Sequence, residues 1–167
     1  MTYGDAEPSR ALDVKLDGRA EALIIKVYRC AMAGFSFAET DAWDMGWRTL
    51  GENLSPAEAG ALFGHFYGFA RALICVTTRP LTCRPATCGA LCADEALVLR
   101  MIGTAQRSDF VGTLAAASLL LAVDELGDAL QATQSLGAAL TRGGIFLKDS
   151  PEHEPCGFDL CPHRRLN

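Results

Sequence analysis

Six of the seven cysteines in this 167-residue chain fall in two stretches, 75–92 and 156–161. Cys83, Cys88 and Cys92 read C-x4-C-x3-C, with Cys75 just upstream; Cys156 and Cys161 read C-x4-C, with His163 two residues later. Thiolate and imidazole are ligands for zinc, and thiolate also holds iron in clusters. A helical turn across Cys88 and Cys92 would bring both sulfurs to one face. Cys83 lies between Pro80 and Pro85, in a stretch free to fold back over them. These spacings predict a metal held by Cys83, Cys88 and Cys92 with a fourth ligand from Cys156, Cys161 or His163, either a structural zinc or an iron–sulfur cluster. Such an ion would tie the C-terminal tail to the body of the protein. Cys75 falls on the same helix stripe as neighbouring core residues and is assigned to packing, as is Cys30.

The spacing is not the paired C-x2-C of a zinc ribbon, nor does it match either common ferredoxin pattern. Two plainer readings stand beside it. Cysteine is among the most buried residue types, so the thiols can be packing residues. Cys156 and Cys161 can also pair as a labile disulfide, although an odd total rules out complete intramolecular pairing.

Other polar residues have simpler explanations. His65 sits among Phe63, Phe66, Tyr67 and Phe69 and reads as a core or edge histidine. Asp94 and Glu95 suit the first turn of a helix, where acidic side chains oppose the helix dipole. His153 lies between Glu152 and Glu154 in an acidic tail, and Asp41 and Asp44 mark the polar side of a helix. No G-x-G-x-x-G, P-loop, G-x-S-x-G or H-E-x-x-H is present.

The elements that must position these residues are helices. Ala20, Leu23, Ile24, Val27, Tyr28 and Ala31 recur at helical spacing and predict a helix over 18–33, stopped by Gly34. Ser36 and Glu39 fit a capping box for a second helix to Gly51, with Phe37, Trp43, Trp47 and Leu50 inward. Ser55, Pro56 and Glu58 give the clearest start signal, opening a helix that should end near Arg79 because Pro80 follows. Helices then follow over 93–107, 110–122 and 124–142, with Gly143 and Gly144 ending the last. Leu62, Phe66, Phe69, Leu73, Leu97, Leu126 and Leu130 are the expected core. Residues 1–16 read as a loose arm and 145–167 as an irregular tail. No apolar–polar alternation supports a sheet. The expectation is one all-α domain over 1–167, a compact bundle of about five or six helices with an irregular cysteine-bearing loop.

Composition limits the function classes. Half the residues are apolar and 21% are charged, so the chain has material for a core without a metal or disulfide. A net charge of −5, with the one dense basic piece at His163, Arg164 and Arg165, argues against a nucleic-acid partner. The apolar run 110–123 is too short to span a bilayer and reads as a buried helix, and residues 1–8 have no secretory pattern. A cytoplasmic, reducing setting without membrane insertion is expected. The leading expectation is a non-catalytic, metal-binding regulatory or accessory protein. The alternative is a helical adaptor or assembly factor with a protein partner or self-association, resting on the Ala-rich surface of the last two helices. A thiol-dependent enzyme using Cys88 or Cys92 is the third.

Overall fold

The computed structural model describes residues 18–148, and among these it is an all-α bundle of six helices. They are α1 (Arg19–Phe37), α2 (Thr40–Gly51), α3 (Pro56–Val76), α4 (Ala93–Gln106), α5 (Phe110–Leu121) and α6 (Gly127–Arg142). The expected core is mostly in place: Leu62, Phe66, Phe69, Leu73 and Leu126 are buried, while Leu97 and Leu130 are partly buried against them.

α1 is the central helix. It packs on α2, α3 and α4, and every residue from Ile24 to Met32 except Lys26 is buried. That run is apolar on nearly all sides, as a helix surrounded by others must be. α2 leans on α1 and α3, while α5 leans mainly on α4 and lightly on α6. The two outer helices therefore rest on different partners.

The helix boundaries correct the sequence in four places, one of them the start of α6, at Gly127 rather than Asp124. Gly34 does not stop α1; it lies inside it, because the Trp43 ring fills the space that a side chain there would need. The Ser36–Glu39 capping box does not form. Ser36 is still helical, the break is the left-handed Ala38, and Glu39 precedes α2 without a side-chain cap. α3 ends at Val76 rather than Arg79, its C-terminal residue Thr77 already extended. The Ser55 start is as expected: its hydroxyl accepts from the Glu58 amide and the Glu58 carboxylate accepts from the Ser55 amide.

α3 is long and apolar enough to cross a membrane by length and composition. Leu62, Phe66, Phe69, Ala70 and Leu73 of this helix are buried in the common core, and 33% of its apolar window is buried.

Candidate functional site

The segment 77–92 joins α3 to α4 and carries three cysteines. It has almost no regular structure; Thr82 and Ala90 are isolated bridge residues, and the Cys88 amide donates to Pro85 O. Its shape is set from beneath by Arg29 of α1, which is 3% exposed. Nε donates to Glu95 Oε1 at 2.7 Å, and Nη2 to Glu95 Oε2 at 2.9 Å and Ala90 O at 2.6 Å. Nη1 donates to Cys88 O at 2.5 Å and Pro85 O at 3.2 Å. A guanidinium has five N–H donors, and these five bonds use all of them.

Glu95 is equally saturated. Beyond Arg29, Oε1 accepts from the Arg84 amide and Oε2 from the Cys92 amide, each at 2.9 Å. The second of these bonds closes the start of α4. Burial alone would lower the Arg29 pKa, but the Glu95 carboxylate more than offsets it and the pKa is raised. A buried ion pair holds only when its remaining donors and acceptors are met, and here the loop's own peptide groups meet them. A second, more exposed pair repeats the pattern: Asp94 takes Arg79 at 2.7 and 3.0 Å and the Thr82 amide at 2.8 Å. Asp94 and Glu95 are thus anchors of the loop, not only dipole partners of α4.

The cysteines sit on this frame with separate neighbours. Cys92 is buried, and its thiol donates to Thr82 O at 3.1 Å. Cys88 lies beside the Arg84 guanidinium, 3.8 Å from its sulfur, and the chain there is not helical, so the turn expected across Cys88 and Cys92 does not form. Cys83 faces the Tyr28 hydroxyl, which is fully buried and makes no hydrogen bond of ordinary geometry. Burial, then the Glu95 charge, pushes the Cys83 thiol up to about 12. Burial and then Cys83 hold the Tyr28 phenol well above its usual range. Cys83 is therefore held as the neutral thiol at pH 7.

Among the described residues no three His, Cys, Asp or Glu side chains are grouped to hold a metal. Cys156, Cys161 and His163 lie outside the described residues. Cys30 is buried as expected, but Cys75 is exposed. It follows Leu73 by two residues, about 200° around the helix, and so faces away from the core. His65 is half-buried at the edge of an open groove of about 350 Å³ between α3 and α6, as a core-edge residue should be.

The surface carries a different signal. α5 has no charged residue, and its outer face exposes Phe110, Val111, Leu114 and Leu119, from 38% to 76%. The expectation of a buried helix holds for only one side, where Thr113, Ala116, Ala117, Leu120 and Leu121 pack inward. A second apolar surface lies where α2 and α3 meet the end of α1. There Phe35, Trp43, Phe63 and Tyr67 stack on one another, with ring centroids 4.7 to 6.0 Å apart. Trp47 rests on Phe63 and is 48% exposed. Trp43 and Trp47 are indeed on one side of α2, but only Trp43 is tucked in.

Arg29 was missed in the sequence, and the α5 face was read there only as part of the Ala-rich surface of the last two helices. Arg29 interrupts an otherwise apolar helical stripe, which signals a paired buried charge. α5 was visible as a helix without charges, but a helix that is apolar on all sides does not reveal how much of it a monomer covers. No protein-family profile, no curated protein and no solved structure matches this chain.

Proposed function

We propose that the protein is a helical protein-interaction module, an adaptor or assembly factor rather than a catalyst. The observation that carries this reading is the outer face of α5, largely apolar, uncharged, and open to solvent. Contiguous exposed apolar surface on a small domain marks a place where something docks. The Trp47 and Tyr67 corner adds a second such surface, of the residue types that dominate binding energy at interfaces. A photo-crosslinking amino acid at Leu114 of the full chain, expressed in cells, tests the reading. It should give a discrete adduct that is absent when the same group stands at Gln134, on the polar outer side of α6. No adduct from Leu114 overturns the reading.

Metal binding is the second reading. Its support is that Cys83, Cys88 and Cys92 stand on one loop whose backbone is fixed by Arg29 and Glu95. It requires ligands from Cys156, Cys161 or His163 as well, and displacement of the proton that Cys83 now holds. Zinc, iron and sulfide content of the full chain purified without oxygen tests it. Stoichiometric metal that falls in both Cys88→Ser and Cys156→Ser supports a shared ion; metal-free protein ends it.

A further inference from the structure

We infer that the corner where α2 meets α3 takes a cationic segment of a partner protein, one that carries arginine or lysine beside apolar side chains; this rests on the interaction reading above and concerns a different surface from α5. Residues 37–58 hold Glu39, Asp41, Asp44, Glu52 and Glu58 against Arg48 alone, five carboxylates less one guanidinium, and so supply −4 of the chain's −5. Glu58 is taken up by Ser55 in the cap of α3. The other four are exposed, and none makes an ion pair or a side-chain hydrogen bond among the described residues.

Aromatic surface borders these charges. At 100° per residue, Asp44, Arg48 and Asp41 fall between Trp47 on the α3 edge of α2 and Met45 on the opposite edge. Trp47 is 48% exposed, Tyr67 of α3 42% and Met45 39%. Trp47 rests over Gly60 and against Phe63, so it is held in place while nearly half of it faces solvent. Arg71, one turn on from Tyr67, bounds the surface along α3.

Charge and apolar edge together select the occupant. Unpaired carboxylates attract cations and repel phosphates and acidic chains. Tryptophan and tyrosine rings also take a guanidinium or ammonium on their faces. An uncharged apolar segment laid over Trp47 would bury Asp44 with nothing to pair with it. A cation without apolar side chains would leave Trp47 and Met45 wet. A segment with both satisfies the carboxylates and covers the rings.

α2 has 12 residues and is about 18 Å long, which sets the length of the probe. The probe is a fluorescein-labelled helical peptide of about 12 residues, with leucine and arginine at helical spacing and no tryptophan. Anisotropy with the full chain at low salt should show saturable binding, with Kd on the order of 10–100 µM. Raising salt from about 50 to about 300 mM should weaken it about fivefold or more. Both tryptophans of the chain stand at this corner, so their emission should shift with the same midpoint when unlabelled peptide is added. Asp41→Asn with Asp44→Asn should raise Kd about fivefold and leave the melting curve in place. Trp47→Ala should raise it about tenfold. That variant also loses a contact with Phe63, so the asparagine pair, which removes only charge, keeps the test independent of folding. Amides at Asp124, Glu125 and Asp128, the acidic group beside the end of α3, should leave Kd within about twofold. Equal binding of a peptide with glutamate in place of arginine overturns the inference, as does loss of binding in the Asp124, Glu125 and Asp128 variant alone. No binding up to about 500 µM also overturns it. Binding that emerges only after Arg164→Ser and Arg165→Ser makes the chain's own tail the occupant and overturns the partner assignment. The Leu114 adduct probes α5 separately, so failure at this corner leaves the interaction reading standing there.

Discussion

Arg29 and Glu95, 66 residues apart in sequence, lock together at 2.7 and 2.9 Å with neither side chain more than 2% exposed. Their remaining hydrogen-bonding capacity goes to the peptide groups of Arg84, Pro85, Cys88, Ala90 and Cys92. Arg29→Met should therefore cost about 3–5 kcal/mol in urea denaturation, because Glu95 is left buried and unpaired. For a simple ion pair, replacing both partners by apolar residues often restores stability. Here Arg29→Met with Glu95→Leu should stay destabilised, since the loop carbonyls and amides lose their partners too. A double variant as stable as the parent would show that the loop closes without the clamp.

Three glycine substitutions should move stability in opposite directions, one down and two up. A Cβ at Gly34 falls on the Trp43 ring, so Gly34→Ala must displace a packed aromatic and should lose about 1–3 kcal/mol. A Cβ at Gly64 or Gly68 meets nothing within 4 Å, and both are exposed in the middle of α3. Alanine at either should add about 0.5–1 kcal/mol, from helix propensity alone. Thermal melts of the three variants read the contrast directly.

Cys83 gives the protein an alkaline limit. Its thiol is raised from 9.0 to about 12 in the folded state, so the unfolded chain loses this proton first. Folding stability contributed by the neutral thiol is complete below pH 9.0 and declines as the pH rises toward about 12. Tyr28, also raised, acts in the same direction at still higher pH. Denaturation midpoints between about pH 8 and about pH 10.5 should fall, and the fall should be shallower in Cys83→Ala. At neutral pH iodoacetamide should label exposed Cys75 well before Cys83.

Phe66 and Ser55 test the two strongest features of α3. Phe66 is 1% exposed, and Phe66→Ala should lose about 3–5 kcal/mol. Ser55→Ala should lose about 1 kcal/mol, with the added sign that the Glu58 carboxyl titrates closer to its ordinary value. In the parent, hydrogen bonds from the Ser55 hydroxyl and amide hold it low. Carboxyl NMR shifts of Glu58 in the two proteins check this.

Helix number, the inward stripe of α3 and the Ser55 start were all legible, because periodicity and capping act within a few residues. The end of α1 was not. Gly34 carries a stop signal locally, and only the arrival of Trp43 from the next helix gives it a packing role instead. The cysteine loop was legible as irregular, but not its shape. Five of its contacts come from Arg29 or Glu95, neither of which lies in the C-x4-C-x3-C pattern. Thiol spacing describes where sulfurs stand along a chain, whereas Thr82 O, the Arg84 guanidinium and the Tyr28 hydroxyl decide where each one faces. The α5 face was hidden for the converse reason: hydropathy reports what a helix prefers to touch and is silent on whether the rest of the chain reaches it.

The clamp also sets an order in time. During synthesis Arg29 is made long before Glu95, and at about 5–20 residues per second the interval is roughly 3–13 s. Through that interval α1, α2 and α3 exist without the carboxylate and loop carbonyls that their buried guanidinium needs. The newborn N-terminal half therefore cannot close its own centre; Arg29 must stay wet until α4 arrives. Completion of the core then waits on a residue beyond the middle of the chain, so a nascent chain halted before Glu95 should present α1 as a chaperone client rather than as a finished helical hairpin.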